Sequence, residues 1–114
     1  MVMRGKIFSG LLAGLFTLSL GLTAVAAEDH KAEAMKHAQA AVDSGQKGDA
    51  IGVAQHAETA KTHATAANQA NPNPHLDAAI KSLDSAIEHG NMGHAEIAGK
   101  AAEEAMTHLN AVKQ

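Results

Sequence analysis

The chain carries one unit twice, and that duplication limits what it can fold into more than any other feature. Set over one another at an offset of 45 residues, HKAEAMKHAQAAVDSGQKGDAIGVAQHAETAKTHATAA (30–67) and HLDAAIKSLDSAIEHGNMGHAEIAGKAAEEAMTHLNAV (75–112) align without a gap. Thirteen of the 38 paired positions are identical, among them Gly45/Gly90, Gly48/Gly93 and Glu58/Glu103. A Gly-x-x-Gly turn divides each copy into two stretches, and NQANPNPH joins the copies. Asn73 before Pro74 reads as an N-cap followed by proline at the first helical position. Gly45 and Gly90 read as helix C-terminators, and Asp49 as the N-cap of the next helix.

The apolar spacing is helical throughout. Leu76, Ala79, Ile80, Leu83, Ala86 and Ile87 recur at intervals of three and four, one stripe of a helix. In heptad terms Leu76 and Leu83 take position a, Ala79 and Ala86 d, and Ile80 and Ile87 e. The last stretch gives Ala95, Ala102 and Leu109 at a, with Ala98, Ala105 and Val112 at d. The first copy keeps this frame with smaller residues: Ala34, Ala38 and Ala41, then Ala57, Ala60 and Ala64, with Met35, Val42 and Val53. The expected fold is all-α, an antiparallel up-down-up-down four-helix bundle built from two duplicated helical hairpins. Alanine cores let helices approach closely but bury little area, so a domain of this kind benefits from a staple such as a metal.

The N-terminus predicts the compartment. MVMRGK carries Arg4 and Lys6, an uncharged apolar run follows, and AVAAED supplies small residues before the first acids. This is the order of a secretory signal peptide, expected to span residues 1–27. The exported domain is then 28–114, starting near Ala27 or Glu28, periplasmic and free of the membrane once cleaved. Both phenylalanines, Phe8 and Phe16, fall in the signal, and the chain has no Cys, Tyr or Trp. Disulfides and thiolate metal sites are therefore excluded. Seven of the nine basic residues lie beyond position 27, as do all twelve acids, for a net charge of −5 with neutral histidine. With neither a basic patch nor an aromatic to stack on a base, no nucleic-acid partner is expected.

All eight histidines lie in the exported part, and every one falls at heptad position g: His30, His37, His56, His63, His75, His89, His94 and His108. The remaining g slots hold Ser44, Asp49, Ser82 and Ala101. In an antiparallel pair, g residues face g residues beside the apolar seam. The frame thus predicts His37 opposite His56, His30 opposite His63, His89 opposite His94, and His75 opposite His108.

Seven residues advance a helix by about 10.5 Å, too far for successive histidines of one helix to grip a single ion. There is no His-x-x-x-His pair of the zincin kind. Chelation has to cross between helices, with each rung supplying two imidazoles. Glu33, three residues after His30 and four before His37, is a candidate auxiliary ligand for either. Glu104 is the candidate for His108, and Met92 for His89 and His94 if the ion is Cu(I). Neutral imidazole suits Cu(II), Ni(II) and Zn(II), with affinity favouring copper. No nucleophile constellation or cofactor motif is present, so the chain does not read as an enzyme. The competing reading is a non-metal helical envelope-stress or structural protein whose histidines sense pH.

The segments EAMKHAQAAV, AQHAETAKTHA, IKSLDSAIEHGNMGH and AAEEAMTHL resemble the small metal-binding protein (SmbP) family of ammonia-oxidising bacteria, over roughly residues 28–112. The resemblance implies a periplasmic four-helix bundle that binds several divalent ions, chiefly Cu(II), with a role in copper buffering or tolerance. That family is richer in histidine, and this chain departs from it at Ser44, Asp49, Ser82 and Ala101. The sequence-level expectation is a monomer whose partners are metal ions.

Overall fold

The computed structural model describes residues 23–113. The expected signal segment lies outside the described residues as far as position 22. Four helices follow in order: α1 (Thr23–Gln46), α2 (Ala50–Ala70), α3 (Pro74–Asn91) and α4 (Ala95–Ala111). Among the described residues there is no strand. No described helix is long and apolar enough to cross a membrane.

Consecutive helices pack on one another and α1 also packs on α4, which makes a helical bundle around one core. Its lining is that of the apolar stripes. Ala34, Ala38, Ala41, Ala57, Ala60, Ala64, Ala79, Leu83, Ala86, Ala98, Ala102, Ala105 and Leu109 are all fully shielded from solvent. Leu83, Leu109 and Val53 are the largest side chains so enclosed, while Met35, Ile80, Ile87 and Met106 seal the edges. Ala95, expected at a, is half-buried because it opens α4 at the rim.

The turns correct one expectation. Gly45 and Gly90 do not end their helices; they lie inside the last turns of α1 and α3. The left-handed residue is the second glycine of each pair, Gly48 at φ 77° and Gly93 at φ 84°. Each turn is a Schellman motif. Asp49 N–H donates to Ser44 O (2.9 Å) and Gly48 N–H to Gly45 O (3.1 Å) in the first. His94 N–H donates to His89 O (2.9 Å) and Gly93 N–H to Gly90 O (3.0 Å) in the second.

The first glycine of each pair serves packing instead. A Cβ on Gly45 would stand 2.7 Å from Gly99 Cα on α4, and one on Gly90 would stand 2.7 Å from Ala50 O on α2. The small-residue seams therefore bring backbones into direct contact near both turns.

Asp49 caps α2 as expected, accepting from Gly52 N–H at 2.9 Å, and Asn73 caps α3 by accepting from His75 N–H at 2.8 Å. Side-chain links between helices include Lys31 Nζ to Val112 O (2.8 Å), Lys61 to Asp84 (2.5 Å) and Asn68 to Asp77 (2.7 Å). These links tie α1 to the end of α4 and α2 to α3.

Candidate metal centre

Four histidines from α1 and α2 gather on one flank. His30 and His63 approach most closely, with Nδ1 of one 3.0 Å from Nδ1 of the other and ring centroids 5.3 Å apart. One ring donates its proton to the other across that gap. Two nitrogens held about 2.0–2.1 Å from one ion lie roughly 2.8–3.4 Å apart for angles between square-planar and tetrahedral. The pair already stands at ligand spacing, with a proton in the place an ion would take.

His37 meets His56 at a centroid distance of 6.4 Å, as the frame predicts. It also stacks on His63, at 5.8 Å and an interplanar angle of 3°. The heptad frame did not foresee that second contact. It treats facing residues as rungs, whereas opposed helices are staggered. His30 and His37 are about 10.5 Å apart along α1, so a residue of α2 that lands between them touches both. His63 does so.

Glu33 completes the group. Its carboxylate lies 3.8 Å from His37 Nε2, one turn earlier on α1. One ligand atom from each of Glu33, His37 and His63 lies within 4.8 Å of the other two, and all three residues are half-buried. Of the two roles open to Glu33, the structure favours His37. Such a partial enclosure lowers the local dielectric yet leaves an entry path, and the carboxylate supplies negative charge for a cation. Lys31, beside His30 in sequence, is tied to Val112 O instead of the cluster.

The second copy is organised differently. His89 and His94 meet at 5.8 Å, ring planes tilted by 36°. Their backbones are the first and last partners of the second Schellman motif, so the turn itself brings them together. His75 and His108 form no such ring contact among the described residues. His75 is exposed in the first turn of α3, its backbone N–H held by Asn73, and His108 is half-buried near the end of α4. Nor does Glu104 join His108 in a ligand group: it accepts a 2.6 Å bond from Ser82 Oγ.

Two of the gaps in the ladder fall at buried positions. Ser82 and Ser44 are buried, at 5% and 9% exposure, whereas every histidine slot is half-buried or exposed.

A helical bundle that collects imidazoles and a carboxylate on one flank has a side-chain group able to hold a metal ion. The family model described as "Small metal-binding protein" matches residues 5–112, nearly the whole chain. The chain belongs to the small metal-binding protein family. Comparison with curated proteins gives no match.

Proposed function

We propose that the protein binds divalent transition-metal ions in the periplasm and buffers or sequesters them, with Cu(II) the principal ion and Ni(II) and Zn(II) further cargo. The observation that carries this reading is the His30–His63 nitrogen pair at 3.0 Å, with His37 and Glu33 beside it. Borderline ions of this class favour imidazole, and copper leads them in affinity. A half-buried, water-accessible cluster suits uptake with exchange more than a closed structural site does.

In this reading the four helices run up-down-up-down as two duplicated hairpins, joined at the 45-residue repeat. The signal peptide, residues 1–27, is removed on export, and residues 28–114 act as a monomer without membrane or nucleic-acid partners. No reaction is assigned: the carboxylates and histidines bind and release an ion and need form no covalent intermediate.

The test is calorimetric titration of the exported chain with Cu(II), Ni(II) and Zn(II), repeated on His30→Ala and His63→Ala. Saturable binding that either substitution weakens supports the proposal. A chain that takes up no ion, but whose helicity changes as its histidines protonate, would favour the pH-sensing alternative.

A further inference from the structure

The α3–α4 turn differs from its copy in a way that the α1–α2 cluster does not explain. Both turns are the same Schellman motif, so their residues correspond one to one at the 45-residue offset. Where the first turn has Ser44, Lys47 and Asp49, the second has His89, Met92 and His94. The three replacements exchange a buried hydroxyl, a cation and a helix cap for three side chains of types that can ligate a metal.

Two of these replacements weaken the turn as a structural element. His94 stands at the N-cap of α4 but makes no side-chain capping bond, unlike Asp49 at the same place. His89 Nδ1 is buried with no hydrogen-bond partner. Buried polar atoms in folded proteins are ordinarily satisfied, so an orphan nitrogen beside a second imidazole marks a place for a ligand.

Met92 supplies the third donor. Met35 and Met106 pack against the core, where a flexible thioether fills gaps. Met92 is instead 50% exposed at the C-cap of α3, its N–H bonded to Glu88 O at 3.1 Å. It sits three residues after His89 and two before His94. Among the described residues no Asp or Glu joins His89 and His94 within the spacing that unites Glu33, His37 and His63. The candidate donors of this turn are two imidazoles in ring contact and, by its place in the turn, an exposed thioether, with no carboxylate grouped with them. The C-terminal carbonyl end of α3 also favours positive charge beside His89.

We infer that His89, Met92 and His94 form a second site selective for a soft monovalent ion, Cu(I), separate from the Cu(II)-type cluster on α1 and α2. Thioether sulfur selects Cu(I) over the borderline divalent ions, and this chain has no cysteine to compete with it. The inference rests on the metal-binding reading only in its class of ligand, since its residues lie on different helices.

The test uses the exported chain with its methionine methyl groups carbon-13 labelled, titrated with Ag(I) as a redox-inert stand-in for Cu(I). The Met92 methyl resonance should move within the first equivalent, while those of Met35 and Met106 stay. In anaerobic competition for Cu(I) against a chromophoric chelator, Met92→Leu should lower affinity by about tenfold or more. The same variant should keep its helicity and bind Cu(II) like the parent. A Met92 methyl that ignores Ag(I), or a Met92→Leu chain that holds Cu(I) as well as the parent, overturns the inference. Failure of Cu(II) binding would count against the α1–α2 cluster alone, because the Ag(I) response of Met92 is read separately.

Discussion

His63 of α2 serves two histidines of α1 at once: its Nδ1 lies 3.0 Å from His30 Nδ1, and its ring stacks on His37 at 5.8 Å. It also belongs to the Glu33–His37 ligand group. His56, by comparison, has one ring contact among the described residues, with His37 at a centroid distance of 6.4 Å. The flank is therefore a zigzag with a hub in place of two independent rungs.

That asymmetry predicts unequal losses. His63→Ala should weaken the tightest Cu(II) site by about tenfold or more, the equivalent of roughly 1.4 kcal/mol per decade. His56→Ala should cost no more than about threefold on the same scale. Calorimetry on the two variants decides it, and equal losses would restore the simple ladder.

Glu33→Gln tests the carboxylate without disturbing the rings. Its link to His37 is long, at 3.8 Å, partly open to solvent and an ion pair only when the histidine is protonated, so the melting temperature of the apo chain should hardly move. Affinity for Zn(II), which accepts mixed imidazole and carboxylate sets, should fall measurably in the same preparation. A fall in stability with unchanged affinity would mean that Glu33 is structural.

The two glycines of the second turn should fail for different reasons. Gly90→Ala places a methyl against Ala50 O and the Ala54 side chain, and should cost about 1–3 kcal/mol by overpacking. Gly93→Ala meets nothing within 4 Å but keeps φ at 84°, costing about 1–2 kcal/mol of left-handed strain. Urea unfolding measures both.

Filling a gap in the ladder should not improve it. Ser82→His puts an imidazole into a buried slot and breaks the 2.6 Å bond to Glu104. The expected outcome is a loss of about 1–3 kcal/mol with no added ion bound, read by urea unfolding and metal titration.

Metal should in turn stabilise the bundle. An ion that binds only the folded chain, at a free concentration a hundredfold above its dissociation constant, adds about 2.7 kcal/mol. Thermal melting with Cu(II) should show that rise in the parent and much less of it in His63→Ala.

Much of the fold was legible in the sequence because it depends on periodicity. The a and d residues read from spacing, from Ala34 to Val112, line the core almost without exception, since a 3.6-residue helix leaves them nowhere else to face. The caps at Asp49 and Asn73 were equally local. The site was only partly legible. Facing pairs such as His37–His56 and His89–His94 follow from a planar frame, but the His37–His63 contact depends on helix stagger, which no heptad encodes. The roles of Gly45 and Gly90 were missed for a similar reason: a glycine near a helix end reads as a terminator, while its use in backbone contact depends on a partner helix. For His75 and His108, frame position alone did not bring the rings together.

The most direct test follows the eight histidine ring resonances while Cu(II) is added to one equivalent, since a paramagnetic ion erases the signals of the rings it touches. The rings of His30, His37 and His63 should vanish first, with His75 and His108 still sharp. Uniform fading of all eight rings, or early loss centred on His75 and His108, would contradict a shared centre on α1 and α2.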